Sequence, residues 1–497
     1  MQKHILSKST FMYGCQCPKR LFLHKRRPEL RNEEDEQQQS IFSSGTTVGQ
    51  LAKQFFPGGQ DATPPDSFSY QMSVETTKRL IKQGESIIYE AAFQYEGVLC
   101  ALDILVKKGN AWHAFEVKST TSVKSQHIQD AALQYYVVTH CGIPLEDIST
   151  VYLNNQYVRQ GALDVQQLFA TQSILEDVLE QQVDIIDKVQ ELKALITQPN
   201  EPVVDIGQHC FDPYGCDFTD HCWSHVPKQD SIFDLPGKYA WRLYANGHRL
   251  LLDIPEDFEM TAKPAMQLKH YRSGEVHIAP DAIREFLEPL TYPLYFFDFE
   301  TIMPAIPEFD GSRPYQQIPF QYSLHIQRSP GSELEHYEFL GDGINDPRED
   351  LTHAMIRYLG NTGNIICYNM SFERSRIKEL ANLFAQYESE LLAINERVVD
   401  LMVPFAKRWY YHPNFKGSYS IKVVLPVLIP ELRYSDLVIK EGGKASLVYS
   451  QLKGMDADIA TQQLHHLLEY CKMDTLAMVR ILDFIKALTA KISFNPE

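Results

Sequence analysis

The chain has 497 residues, 44% hydrophobic and 22% charged, enough for two or three domains each with its own core. Its 47 basic and 64 acidic residues give a net charge of −17, which excludes a surface coated to hold nucleic acid non-specifically but leaves room for a local grip. With no apolar run of membrane-spanning length and no signal-type apolar core near the N-terminus, the reading is of a cytoplasmic protein without a membrane partner.

In chain order, residues 1–31 collect Lys3, Lys8, Lys19, Arg20, Lys25, Arg26, Arg27 and Arg31 against a single acid, Glu29, a basic patch or a solvated surface. A short helix is expected around "CPKRLFLHKRR", then an exposed loop at "NEEDEQQQ". A βββα pattern follows, from "SIIYEAAFQYEG" through "EVKS" to the helix "SQHIQDAALQYYVVTH", and residues 164–196 read as helix from apolar positions three or four apart. Residues 227–290 carry prolines and no strong periodicity, so they read as a connecting segment with some helix. From residue 291, "YPLYFFDFET", "FQYSLHIQRS" and "HYEFLG" read as a strand meander, "NIICYN" as a strand, and three segments including the C-terminal one as helices. The expected class is therefore α/β, with domains at 1–226 and 291–497.

Two stretches carry paired acids. In "VLCALDILVKKGNAWHAFEVKS", Asp103 lies on one strand and Glu116 and Lys118 share a face of the next. Two carboxylates suit a hard divalent cation, with Glu90 as a supplementary ligand, and a lysine offsets charge as a phosphodiester is cleaved. In "LYFFDFET", Asp298 and Glu300 again share a strand face. Glu373, opening a helix after Asn369, and Tyr470 and Asp474, four apart on the last helix, complete a set of four carboxylates. Such a set repels itself unless cations neutralise it, and with two divalent ions it suits phosphoryl transfer. Tyr470 would orient the attacking water, and Asp400 is a candidate support residue. Each fragment alone is as well read as a surface ion pair.

Nine cysteines in a cytosolic chain do not suggest a disulfide scaffold. Cys100, Cys141, Cys367 and Cys471 stand singly in apolar surroundings, whereas "CFDPYGCDFTDHCW" places Cys210, Cys216 and Cys222 with five residues between neighbours. Three thiolates need a fourth for tetrahedral zinc or a cubane cluster, and Cys15 or Cys17 supplies it.

The pattern of twelve residues between Asp103 and Glu116, then E-x-K, resembles the RecB-like branch of the PD-(D/E)XK nucleases, although the Gln-x-x-x-Tyr helix motif departs, with Val138 four places after Gln134. One cysteine before a Pro–basic pair and three after the core resembles the iron–sulfur members, the CRISPR-associated and AddB-type nucleases. That resemblance implies a 4Fe-4S cluster on Cys17, Cys210, Cys216 and Cys222, with zinc as the alternative. The later set resembles the DnaQ-like (DEDDy) 3′–5′ exonucleases of RNase H-like fold, with Glu373 where that family has aspartate. The resemblance implies an uncharacterised bacterial family joining both nucleases, a Mg²⁺- or Mn²⁺-dependent enzyme acting on DNA, single-stranded or with free ends, in repair, recombination or defence. The alternatives are one catalytic domain with a nucleic-acid clamp, an RNA exonuclease, and a non-catalytic metal-stapled scaffold.

Overall fold

The computed structural model describes residues 5–33, 36–66 and 69–493, with the side chains of 36–44 and 491–493 left aside; Lys3 of the basic patch lies outside them. The chain is mixed α/β. Among the described residues it has 19 α-helices and sheets of seven, five and two strands. Two compact units divide it: Met1–His225 with Pro304–Gln316, and Val226–Met303 with Gln317–Glu497.

The first unit holds a seven-stranded sheet of β1 (Leu6–Ser7), β2 (Gln60–Asp61), β3 (Ile87–Tyr95), β4 (Val98–Lys108), β5 (Ala111–Lys118), β6 (Leu145–Leu153) and β7 (Phe169–Ser173). The order is β2-β3-β4-β5-β6-β7, with β1 added to β4. Strands β3 to β5 form an antiparallel meander. The helix Ser125–His140 then crosses over so that β6 runs parallel to β5, as a parallel pair requires. Apolar residues cover both faces. Leu105, Ala114 and Ile148 pack with Leu133 and Val137 of the crossover helix, while Tyr89, Ile104 and Phe115 pack with Val48 and Ala52 of the helix Glu36–Phe55. The segment 304–316 joins this second face through Ala305 and Tyr315. Its Gly311 N–H donates to Arg159 O, and Tyr315 hydrogen-bonds Ser119.

Three expectations need correction here. The helix Glu36–Phe55 begins inside "NEEDEQQQ". Residues 164–196 are not one helical run, because β7 interrupts them and pairs with β6, which the pattern also hid. An edge strand of five residues amid apolar helix-like spacing leaves too short an alternation to read. Residues 227–290 are not a bare connector but fold with the second unit. Their helices Gly237–Ala245, Ala262–Ser273 and Pro280–Leu287 bury Tyr239, Leu243, Leu268 and Ile283, and β8 (His277–Ile278) pairs with β14 (Tyr410–Tyr411).

The second unit's main sheet contains β9 (Leu294–Ile302), β10 (Ile318–Gln327), β11 (Leu334–Leu340), β12 (Asn364–Cys367) and β13 (Val398–Asp400), ordered β11-β10-β9-β12-β13. Central β9 is antiparallel to β10 and parallel to β12, so the sheet changes sense there. Strand alternation sends Tyr295, Phe297 and Phe299 into a core with Leu351, Met355, Ile377 and Leu380 of the flanking helices. Against β9 and β10 lies the long helix Ala457–Ser493, tied by Gln321 Nε2 donating to Leu467 O (2.8 Å). Only glycine fits at residue 363, just before β12. Its φ is +79°, and an added Cβ would lie 2.0 Å from Pro293 O.

Candidate functional sites

In the first unit, the register of β3, β4 and β5 sets three acids in one row. Tyr89↔Ile104 and Ala91↔Leu102 flank Glu90 and Asp103, and Ile104↔Phe115 precedes Asp103 and Glu116. The ladder gives way at this row: Glu90 has φ +54°, and the Val117 N–H donates to Asp103 Oδ2 (2.6 Å). A non-glycine residue at positive φ inside a strand marks a functional candidate. Strand β4 carries β5 on the edge over Ile104–Lys108 and β1 over Val98–Leu99. The acids Asp103 and Glu116 sit in the fork between them.

Glu116 is buried and fully engaged. Its Oε1 receives Lys118 Nζ (2.8 Å) and Lys8 Nζ (2.6 Å), and its Oε2 receives Gln134 Nε2 (2.7 Å). Lys118 also reaches Asp130 Oδ2 (2.6 Å), and Lys8 reaches the same oxygen at 3.5 Å. Burial pushes the Glu116 carboxyl up, but the Lys118 and Lys8 charges outweigh it and hold the group well below the usual carboxylate range. Asp103 goes the other way, pushed up by burial and by the Glu116 charge beside it. Glu90 is nearer Lys53 (3.9 Å), and Glu90, Lys53 and Asp103 line a cavity walled by Gly45 and Gly49. Lys8 and Asp130 were not foreseen. Asp130 lies four before Gln134 on one helix face, a spacing that could have found it; Lys8 arrives from a remote segment with no pattern.

The four thiols Cys17, Cys210, Cys216 and Cys222 line one pocket with Lys19, Arg20 and His209. Cys17 stands between the helices Lys8–Gln16 and Pro18–Arg26. The loop that carries the others is clamped to those helices, with Gln16 Nε2 donating to His209 O (2.7 Å) and Tyr214 O (2.6 Å) and Arg20 bonding Asp217 (2.6 Å). Cys216, pushed up to about 11 by burial, feels the charge of Cys17, and Cys222 feels Cys17 and Cys210. Cys15 instead packs against the unit's main core.

In the second unit, Asp298 and Glu300 leave β9 on the face toward the long helix, beyond the last β12 pairing at Ile366↔Phe296. Asp298, Glu300 and Cys471 bring ligand atoms within 4.8 Å of one another, the single such trio among the described residues. Glu373 and Asp474 stay outside that trio, as do Glu90, Asp103 and Glu116 as a set. They remain within electrostatic reach. Asp298 is pushed far up by burial and then by Asp474, Glu300 and Glu373, and Glu300 is pushed up to about 8 by burial, Asp474 and Glu373. Glu373 is likewise raised to about 8, by burial and then Asp400, and its Oε2 is buried with no hydrogen-bond partner. Asp400 braces the turn before it, accepting from Asn369 N (3.0 Å) and Met402 N (2.9 Å).

Asp474 is raised to about 6 by burial, against the lowering effect of Tyr434, whose hydroxyl donates to its Oδ1 (2.5 Å). Tyr470 is buried beside Asp474 and Glu300. Lys422 supplies the nearby positive charge, 5.2 Å from the Tyr470 ring centre, and lowers Glu300 and Asp474. Tyr434, Lys422 and Cys471 were not anticipated as site residues. Cys471 lies three before Asp474 on the helix, so its place was legible; the other two lie on separate segments and gave no signal. Buried anions in such number fit a divalent cation.

A family described as a domain of unknown function (DUF2779) matches residues 295–420, from β9 past Asp400 but short of Tyr470 and Asp474. The uncharacterized protein UU173 of Ureaplasma parvum serovar 3 is 29% identical over 246 residues, 44% of this chain and 34% of that protein. The uncharacterized protein MG366 homolog of Mycoplasma pneumoniae is 30% identical over 210 residues, 38% and 32% of the two chains. The uncharacterized protein MG366 of Mycoplasma genitalium is 28% identical over 218 residues, 39% and 32%. The chain thus spans about a third of the length of these relatives. No described helix is long and apolar enough to cross a membrane.

Proposed function

We propose that the protein is a metal-dependent nuclease with a RecB-like PD-(D/E)XK site in the first unit and a DnaQ-like, RNase H-fold exonuclease site in the second. The observation that carries this reading is the group of four carboxylates, Asp298, Glu300, Glu373 and Asp474, all raised by burial and one with an unpartnered buried oxygen. Magnesium or manganese bound there would supply the charge that lets the group ionise, and would polarise a phosphodiester and its attacking water. Asp298 and Glu300 would hold it first, from a rigid central strand. Tyr434 donates to Asp474, and Tyr470, beside Asp474 and Glu300, would hydrogen-bond a water and orient it. In the first unit, Lys118 would offset charge on a cleaved phosphate, with Asp103 and Glu116 as the metal-binding acids.

The thiol pocket is read as the seat of a 4Fe-4S cluster. Zinc is the alternative, and iron and zinc analysis of the purified protein separates them. The substrate favoured is DNA with single-stranded or free ends, and RNA is the alternative. The test is digestion of 5′- and 3′-labelled DNA and RNA with and without Mn²⁺. If the Lys118→Ala/Asp298→Ala double variant digests every substrate as fast as the wild type, the reading fails.

A further inference from the structure

Two lysines, not one, occupy the acidic fork of the first unit. Lys8 is held there by local structure: β1 pairs parallel with β4 at Leu6↔Val98 and Ser7↔Leu99, and Ser7 then caps the helix Lys8–Gln16 in a capping box with Thr10. The side chain leaves the first helical position into the fork. There Lys8 and Lys118 alternate with Glu116 and Asp130 in a closed ionic square. Glu116, the carboxylate expected to hold a divalent ion, already meets a donor at each oxygen: its Oε1 carries both ammonium groups, and its Oε2 carries the Gln134 amide and keeps one lone-pair site. A divalent cation at that carboxylate would sit against the repulsion of two ammonium charges, and would bind best once one of them withdraws. Lys118 is fixed by the strand that carries Glu116 and by Asp130 at 2.6 Å. The candidate to yield is Lys8, whose longer contact to Asp130 is 3.5 Å and whose side chain is the more exposed, 25% against 19%.

We infer that Lys8 is a tethered counter-ion that competes with the divalent cation for Glu116, so that the ammonium and the metal exclude one another at that carboxylate. This rests on the reading of Asp103 and Glu116 as metal ligands. Lys8 keeps the site neutralised and folded when no metal is present and raises the metal concentration needed to load it. Lys8 is thus a positioning residue, acting through Glu116 rather than on a substrate.

The test is calorimetric titration of the full chain with Mn²⁺, in an Asp298→Asn/Glu300→Gln background that silences the second site. Adding Lys8→Gln should tighten binding about tenfold, a size usual for coupling between two ligands, and Lys8→Met should do the same. Lys8→Arg, which keeps the charge, should bind as the background does. Circular dichroism on each chain confirms folding. Unchanged or weaker Mn²⁺ binding in both neutral variants overturns the competition. If that happens while Glu116→Gln still abolishes binding, the metal reading of the site survives and only the role of Lys8 falls. If no chain binds Mn²⁺ in a Glu116-dependent way, the metal reading of the first unit falls with it.

Discussion

In the first unit every oxygen of Glu116 meets a donor from the chain itself, whereas in the second Glu373 keeps a buried oxygen with no partner at all. Both sites bury several carboxylates. The first balances them with Lys8 and Lys118; the second has Lys422 near Glu300 and Asp474 and Arg376 near Glu373, yet all four of its carboxylates stay raised. Self-neutralised anions stabilise a fold without help. An unbalanced cluster must take up protons or cations, so its fold should report on both. That difference separates the two sites experimentally, and the sharpest way to break it is to remove one acid from each.

On the proposed nuclease reading, Asp298→Asn should lower Mn²⁺-dependent digestion of labelled nucleic acid by about 10²–10³-fold, the usual size for a lost electrostatic contact at a reacting centre. It should also raise the unfolding temperature of the metal-free protein, because it removes one of four mutually repelling groups. Glu116→Gln should have the opposite effect on stability, a loss on the order of 3 kcal/mol, because two ammonium groups lose their buried partner. Denaturant unfolding of the two variants beside the wild type checks both signs. If both substitutions destabilise alike, the contrast between the sites is wrong.

The thiol pocket gives the next largest effect. On the proposed reading of the pocket as a cluster or zinc site, Cys216→Ser should lower the iron or zinc content and the unfolding temperature of the first unit, the latter by about 5–10 °C, while Cys15→Ser, outside the pocket, should leave the metal content unchanged. Elemental analysis and an absorption band at roughly 400 nm, expected for thiolate-bound iron, read the outcome. Equal metal loss from both variants would place Cys15 among the ligands.

Much of this was legible because strand and helix periods place residues two and four apart on one face. That logic finds Asp298 with Glu300, Glu116 with Lys118, and Tyr470 with Asp474. It fails where a site is completed by chain that arrives from elsewhere. Lys8 enters the fork through a two-residue parallel pairing, 108 positions from Glu116, and Tyr434 reaches Asp474 from a turn of helix with no periodic signature. Residues 227–290 hold the helix expected of them, but that they fold with the second unit left no sign in the sequence, because three short helices with so few buried apolar residues carry too little repetition to mark a core. Cys471, which stands singly in apolar surroundings in the sequence, is buried as that context implies, and its place beside Asp298 and Glu300 is an addition to that reading.

A titration exploits the contrast without any substitution. Glu300 and Glu373 have folded-state values near 8, above the unfolded carboxylate range of about 4. The protons they retain therefore stabilise the metal-free fold fully below about pH 4, and that contribution is lost as pH rises through about 8. The unfolding temperature of the second unit should fall by several degrees between pH 6 and pH 9, and Mn²⁺ should restore more at pH 9 than at pH 6, because the metal must displace those protons. Glu116, held low, contributes stability that is lost only as pH falls well below 4, while Asp103, raised to about 8, adds a slope of the second unit's sign, so the first unit should show a shallower slope than the second. A metal-free protein whose two units respond identically to pH would contradict the charge balance assigned to each.

The smallest expected effect tests one buried hydrogen bond to an acid of the second site. Tyr434→Phe removes the hydroxyl that donates to Asp474 Oδ1, in a pocket where both residues are buried. Losing a buried bond to a charged group costs about 1–3 kcal/mol if the acid is ionised, and less if it is protonated and can turn to another acceptor. Below pH 6 the variant should therefore be nearly as stable as the wild type, and the deficit should open as Asp474, raised to about 6, loses its proton. Mn²⁺ should close part of the gap by giving that carboxylate a second partner. A deficit that is constant from pH 5 to pH 9 would mean that Tyr434 merely packs against the helix, and that Asp474 is balanced by something other than the hydroxyl and a metal.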